Sequence, residues 1–283
     1  MAEAQSDQGL LGPDSVAWKV IGHPAATGIG GLRTLMIEAL HPLAIAGVAQ
    51  HSAYQQRPLE RLQRTYYYVV ATVFGDRATA HAAAQRVRMV HKRVRGIDPV
   101  TGAAYSADDP DTQVWVHTVQ WYSYLVAYRR FVGRLSAADE DRYMAEGVRI
   151  ATLVGTPAER VPATVAAARA YFASVRPRLC VSDGARAAID LVLHGRFSLE
   201  VAHIYFLVRI MASAALATVP RDLRKLAGID RPREADALAV TAARPLLAAL
   251  TLPWVRGNEW IVVGKDAQRV RERAQQGRGR RAA

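Results

Sequence analysis

Residues 61–96 read RLQRTYYYVVATVFGDRATAHAAAQRVRMVHKRVRG, and their pattern sets the expectation for the whole fold. Apolar residues recur here at three- and four-residue steps, which predicts two consecutive amphipathic helices. Pro58 suits the opening of the first helix, and Gly75 suits its end. Asp76 suits the N-cap of the second helix, which stops near Gly96.

The rest of the chain shows the same periodicity, with abundant alanine and little of the alternation typical of strands. A glycine-rich loop is predicted at 27–31, Pro42 interrupts the helix after it, and Ser136 resembles the start of a capping box. The sequence therefore predicts an all-α fold with one domain over residues 1–264 and a basic, disordered tail over 265–283. The other predicted helices cover roughly residues 32–53, 113–132, 162–174, 183–194, 199–218 and 233–250.

The composition is that of a globular chain, with 51% apolar and 22% charged residues among 283. This is enough for a sizeable core. The single cysteine, Cys180, cannot form an internal disulfide. The first residues lack the basic and apolar regions of a signal peptide, and Arg209 and Arg244 interrupt the longest apolar stretches. The sequence thus predicts a cytoplasmic protein without a transmembrane segment.

The net charge of +12 is concentrated in two regions. Residues 57–95 hold nine Lys/Arg against two Asp/Glu, and residues 265–283 hold seven against two. A basic tail can bind nucleic acid, and a helical DNA-binding regulator is one hypothesis. Because no helix-turn-helix pattern occurs near the N-terminus, a solvated tail is the favoured interpretation and nucleic acid is not the expected partner.

The helix that contains His91 combines apolar and cationic neighbours on one face. Val87 and Val94 lie at i−4 and i+3 from the histidine, and Arg88 and Arg95 lie at i−3 and i+4. A haem requires such a set, because its ring is apolar, its propionates are anionic and neutral imidazole binds its iron. A surface helix with a basic stripe gives the same spacing, and the spacing alone favours that second interpretation.

The preceding helix places Arg61, Arg64, Thr65 and Tyr68 on one face. Guanidinium, hydroxyl and phenol groups can donate hydrogen bonds to oxygen or to a developing oxyanion. The alternative is a solvated face made of good helix formers.

Three further histidines, His41, His51 and His117, lie within or beside apolar stretches. Each is interpreted first as a core histidine with a hydrogen-bond partner, and second as a residue that lines a pocket. His41 also forms a Glu-x-x-His pair with Glu38.

A second Glu-x-x-His pair joins Glu200 and His203, and two such pairs are typical of a carboxylate-bridged di-iron bundle. That site also needs glutamates from two other helices, for which Glu60 and Glu146 are the candidates. Since nothing in the sequence directs these two inward, chance pairing is the favoured interpretation.

Seven segments occur in the order of one known family. Together they resemble the catalytic domain of the rubber-oxygenase (latex-clearing protein)/MpaB-type oxygenase family over roughly residues 15–175. The segments are GIGGLRTL (28–35), HPLAIAGVAQHSAY (41–54), RPLERLQRT (57–65), FG (74–75), VRMVHKRVRG (87–96), YSADDP (105–110) and WVH (115–117).

The resemblance implies an all-α fold with a globin-like core that holds a b-type haem (heme b). His91 matches the histidine of the family's His-x-x-Val-x-Gly element, which is the proximal iron ligand. Arg61 and Thr65 match the distal Arg-x-x-Lys-Thr element, in which Arg64 replaces the lysine. A guanidinium stays protonated, so Arg64 is expected to donate hydrogen bonds to dioxygen rather than to bind iron.

The family's distal glutamate falls near Ile45, and Glu38 and Glu146 are acidic residues within the resembling segments. The resulting hypothesis is a haem b-dependent oxygenase or oxidoreductase that uses dioxygen and an apolar, isoprenoid-like small molecule, with the need for a redox partner left open. The alternatives are a haem-binding sensor or carrier without oxygenase activity, and a family fold that has lost its cofactor.

Overall fold

The computed structural model describes residues 7–195, 202–253, 255 and 263–282 of the chain. The all-α prediction is confirmed, since helices joined by short turns make up most of this part and the one sheet is a two-stranded hairpin. The helices are α1 Val16–Ile21, α2 Pro24–Glu38, α3 Pro42–His51, α4 Pro58–Phe74, α5 Arg77–His91, α6 Pro110–Phe131, α7 Ala137–Thr152, α8 Val165–Val175, α9 Asp183–His194, α10 Ala202–Leu216, α11 Arg221–Ala227, α12 Arg233–Ala249 and α13 Lys265–Ala282. The antiparallel strands are β1 Arg95–Ile97 and β2 Ala104–Ser106, and short 3-10 helices cover Ala158–Arg160 and Arg176–Arg178.

Helices α2 and α6 cross at the centre of the molecule. Gly30 of α2 lies against α6 so closely that an added Cβ would come within 2.9 Å of the Tyr124 Cα. The predicted glycine-rich loop at 27–31 is therefore wrong: these residues lie inside α2, which begins at Pro24 with His23 as its N-cap. The glycines permit close helix packing here instead of forming a turn.

Two apolar clusters lie on either side of this crossing. One contains Trp115 and Val119 of α6 together with Ile29, Met36 and Leu40. The other joins α1, α4 and α7 to the rest of α6 through residues that include Trp121, Leu125, Val69, Tyr143 and Ile150. Helix α6 thus contributes to both halves of the core.

Helices α2 and α3 meet at a bend of 103°. Pro42 is the first residue of α3, as its effect on the hydrogen-bond ladder predicts. The Leu40 carbonyl before the bend accepts a hydrogen bond of 2.9 Å from the Cys180 amide, which lies between α8 and α9. In the described part of the chain no single helix is long and apolar enough to cross a membrane. The bent pair α2 and α3 reaches that length and apolar composition when its two helices are counted together.

The predicted helix ends around the His91 segment are confirmed, with one difference. Pro58 is the first residue of α4, Gly75 follows its last, and the Asp76 carboxylate accepts from the Thr79 amide at 2.7 Å. Helix α5, however, ends at His91 itself rather than near Gly96. The chain then enters the hairpin, although the sequence shows little of the alternation typical of strands.

Residues 265–282 differ from their predicted disorder, because they form helix α13, which packs on α4. Arg271 is buried, and its Nη1 donates to the Tyr66 hydroxyl at 2.9 Å while its guanidinium lies 6.0 Å from the centre of the Phe74 ring. Ala267 of the same helix is buried as well. The expectation from apolar periodicity failed because a long cationic side chain with an apolar stem replaces the usual apolar stripe.

Candidate active site

The bend between α2 and α3 places Glu38 and His41 side by side in the fold. Glu38 is the last residue of α2, and its carbonyl accepts from the His41 amide at 3.1 Å and from the Trp115 indole at 3.5 Å. The His41 ring is buried and lies 5.6 Å from the Trp115 ring. Trp115 therefore supports the corner from α6, a role that the sequence analysis missed.

Glu38 is a half-buried acid whose Oε1 is buried without a hydrogen-bond partner. Burial raises the pKa of its carboxyl to about 8, and the positive charge of Arg61 opposes this rise. A carboxyl group with such a pKa is mostly protonated at pH 7 and can release its proton slightly above neutral pH. One signal for its burial is present in the sequence, since Glu38 is the only acidic residue between Asp14 and Glu60.

Arg61 of α4 interacts with this carboxylate. Burial lowers the pKa of its guanidinium, and the negative charge of Glu38 acts in the opposite direction. Its Nη1 donates to the Ser52 hydroxyl at 2.7 Å, which ties the side chain to the end of α3. The structure thus places Arg61 and Glu38, from different helices, near enough for each charge to influence the pKa of the other.

The other predicted residues of the α4 face lie further out. Thr65 is exposed, and Arg64 is exposed with its Nε donating to the Glu60 carbonyl and its guanidinium 3.9 Å from the Glu60 carboxylate. Tyr68 is half-buried, and burial raises the pKa of its phenol. Of the three residues predicted to act distally, Arg61 alone has a largely desolvated charged group.

His91 ends α5 with its side chain half-buried and its Nδ1 buried without a hydrogen-bond partner. Burial lowers the pKa of the imidazole, while the nearby Asp108 carboxylate acts against that shift. The ring is therefore neutral at neutral pH, which is the form that binds metals. His91 is the residue predicted to bind iron, and helix α5, which it ends, packs on α4.

The four neighbours predicted around His91 separate by chemistry. Val87 and Val94 are half-buried, and Val94 packs against Gly47 of α3, where an added Cβ would lie 3.3 Å from its Cγ1. Arg88 and Arg95 are exposed, and the Arg95 Nη2 donates to the Lys92 carbonyl at 2.6 Å. The apolar neighbours thus lie inward and the cations outward.

The remaining histidines lie in different environments. His117 of α6 stacks on Trp121 with 5.6 Å between ring centres, its Nε2 is buried without a partner, and burial lowers its pKa to about 4. Burial also lowers the pKa of His41 to about 4. His51 is exposed, with its Nε2 3.1 Å from the Arg95 carbonyl.

Glu146 serves the start of α1. Its Oε1 accepts from the Val16 amide at 3.2 Å, its Oε2 accepts from the Ala17 amide at 2.7 Å, and the Arg142 Nε donates to Oε1 at 3.1 Å. These bonds use the carboxylate at a helix N-terminus, where the helix dipole favours an anion. The bond from Arg142 is a charge-assisted one, so Glu146 pairs with an arginine as well as with the two amides.

The structure offers no clustered ligand set for a bare metal ion within the described residues, where no three His, Cys, Asp or Glu side chains lie close enough to share one. Glu200 of the second Glu-x-x-His pair lies outside the described residues. A haem iron needs as few as one protein ligand, so the isolated His91 is compatible with haem and not with a multi-ligand centre.

Comparison with known families agrees with the resemblance found in the sequence and extends it. The model of the ER-bound oxygenase mpaB/B'/Rubber oxygenase catalytic domain matches residues 18–250. That range contains Glu38, Arg61 and His91 and reaches beyond α12. No curated protein and no solved structure matches the chain.

Proposed function

The chain belongs to this mpaB/rubber-oxygenase catalytic-domain family, and from that premise we propose that it is a haem b-dependent oxygenase that oxidises an apolar, isoprenoid-like small molecule with dioxygen. His91 is the proposed iron ligand. Val87 and Val94 are the proposed apolar neighbours of the porphyrin, and Arg88 and Arg95 are the proposed partners of its propionates.

The observation that supports this assignment best is the buried Nδ1 of His91. Buried polar atoms in folded proteins nearly always have a partner, so a neutral ring with an unpaired nitrogen suits a ligand supplied from outside the chain. The inward valines and outward arginines match the two chemistries of a haem, an apolar ring and anionic propionates.

A bound haem supplies the redox chemistry that amino-acid side chains lack. The chain itself would contribute Arg61, which holds a cation in a largely desolvated place, and Glu38, which can hold a proton at Oε1. In a site of low dielectric such groups act more strongly on a polarised oxygen than they do in water. Arg64 and Thr65 are proposed to lie at the outer edge of this site.

The test is haemin titration of the purified protein, followed by its Soret absorption. We expect stoichiometric binding by the parent and by the matched variant His51→Ala, whose histidine is exposed. We expect no stoichiometric binding by His91→Ala. Full retention of the Soret band by His91→Ala would overturn the ligand assignment, and absence of the band in the parent would favour a family fold without its cofactor.

A haem-binding sensor or carrier is the second candidate, and one observation favours it. Arg64 and Thr65, which match distal positions of the family, are exposed, and Arg64 already pairs with Glu60. Oxygen consumption by the haem-loaded protein with an alkene-bearing lipid separates the two functions. The oxygenase consumes oxygen in proportion to lipid, and a sensor or carrier does not.

A further inference from the structure

Besides the residues of the candidate site, residues 86–100 carry a group of exposed side chains on the outer side of α5 and on the hairpin. Nine large apolar side chains are exposed in the described part of the chain, and four of them fall within this short segment. Exposed cations are interspersed with them, of which Arg88 and Arg95 are the proposed propionate partners and are not counted here. We call the remaining set the basic–apolar surface; its members are Met89, Val90, Ile97, Val100, Arg86, Lys92 and Arg93.

On α5 these residues follow helical spacing. Counted from Arg86, the next three stand at i+3, i+4 and i+7: Met89, Val90 and Arg93. The four therefore lie on one side of α5 and of the turn that follows it. All four are exposed, with Met89 at 53% and Val90 at 56%. The buried side of α5 is formed by other residues, Ala80, Ala83 and Ala84. The exposed apolar pair therefore has no role in the core.

The hairpin carries the other two apolar residues of the set, with strand spacing. Arg95 and Ile97 of β1 point to the same face, and Gly96 between them faces the Tyr105 hydroxyl and Gln50 of α3. Ile97 is 58% exposed, and Val100 in the connecting turn is 51% exposed. The face with Arg95 and Ile97 is thus the one turned away from α3.

The cations of this surface have no acidic partners. None of the three, Arg86, Lys92 and Arg93, forms an ion pair within the described residues. The only acid between residues 86 and 107 is Asp98, which is 1% exposed and accepts from the Thr101 hydroxyl at 2.6 Å. The exposed Asp108 lies near His91, and the surface keeps a net positive charge, which is complementary to an anionic partner.

We propose that the basic–apolar surface docks the protein on the headgroup layer of an anionic lipid bilayer. Cations interspersed with exposed aliphatic side chains fit such a layer, because lipid phosphates and carboxylates meet the cations while the aliphatic groups enter the acyl boundary. This binding goes beyond the proposed oxygenase function and does not depend on haem.

Other occupants fit the surface less well. Nucleic acid would leave four aliphatic side chains against phosphate, and the segment offers no exposed aromatic ring for base stacking, since Tyr105 is buried and bonded to Gln50. A second copy of the chain would place the same positive charge against itself. A bilayer satisfies both chemistries at once.

The experiment is co-sedimentation of the full chain with vesicles of phosphatidylcholine, with and without phosphatidylserine. We expect binding to the mixed vesicles only. The variant Lys92→Gln/Arg93→Gln should bind about 25-fold more weakly, at about fivefold per cation. The control Arg269→Gln/Arg273→Gln, which removes two exposed cations from α13, should bind as the parent does.

The apolar part of the proposal has its own variant, Ile97→Ser/Val100→Ser, which should weaken binding at least tenfold. Its control is Leu238→Ser, at a residue 71% exposed on α12, which should have no effect. Equal binding to both vesicle types would overturn the proposal, and so would an equal loss of binding in a variant and its control. It would also be overturned if only the cation variant lost binding and the parent bound duplex DNA more tightly than vesicles. His91→Ala should bind vesicles like the parent, so this outcome is independent of the haem test.

Discussion

Glu146 and Glu38 are two acids in the interior of the same molecule, and they differ in how their oxygens are used. Glu146 accepts from two backbone amides and from Arg142, so both of its oxygens are bonded. Glu38 has a buried Oε1 without a partner, faces the charge of Arg61 and has a raised pKa. A fully bonded buried acid stabilises a fold, whereas an incompletely bonded one costs stability and is available for chemistry.

The largest effect expected from this comparison is that of Glu146→Ala. The substitution leaves the Val16 and Ala17 amides unpaired in the interior, and it should lower the free energy of unfolding by about 3–5 kcal/mol. Urea denaturation followed by circular dichroism measures the change. A loss below about 0.5 kcal/mol would break the comparison, because Glu146 would then not be a structural acid.

Glu38→Gln should act through pH. The folded pKa is about 8, whereas an unburied glutamate has an ordinary pKa of 4.5, so the folded state holds a proton that the unfolded state releases between these values. The parent therefore loses stability as pH rises through this range, by up to about 5 kcal/mol at about 1.4 kcal/mol per pH unit, and Gln removes the loss.

The clean window for that measurement is pH 6.5 to 8.5. Below it, His41 and His117 act in the opposite direction, because their lowered pKa values make the folded state gain stability as pH rises from about 4 to 6.5. The observable is the difference in urea midpoint between the parent and Glu38→Gln across the window. Parallel pH profiles for the two proteins would show that Glu38 ionises as an ordinary surface acid.

The smallest effect is expected for Arg64→Ala. Arg64 and Glu60 are both exposed, so their pair contributes little in water, and the free energy of unfolding should change by less than about 0.5 kcal/mol. Thermal denaturation at low and high salt measures it. A larger, salt-insensitive loss would place Arg64 with the buried groups and move the boundary of the site outward.

The sequence predicted the helices well where local chemistry decides them. Pro58, Asp76 and Ser136 each take the capping or first-turn position that their side chains favour. The predictions failed where packing decides instead. Glycines at 27–31 resemble a turn until α6 lies against them, and α13 has too few apolar residues to show a period before Arg271 meets Tyr66.

The candidate site shows the same division. The resemblance singled out His91 and Arg61 because they stand in short motifs, and the lone position of Glu38 in an apolar stretch is visible in the sequence. That Glu38 faces Arg61, and that Trp115 supports its corner, depends on how α2, α4 and α6 pack. Local spacing contains no information about which helix faces which, so these contacts were beyond prediction.

The hydrogen bond from the Cys180 amide to the Leu40 carbonyl concerns the order in which the molecule is made. A ribosome releases residue 40 long before residue 180. The corner that holds Glu38 and His41 therefore lacks this hydrogen bond while the intervening helices are synthesised. Contacts between such distant positions also slow folding, because a long loop must close first. The corner that presents the proposed proton-holding group therefore forms all of its bonds only after residue 180 has been made, and a chain that stops before residue 180 should form helices without this hydrogen bond.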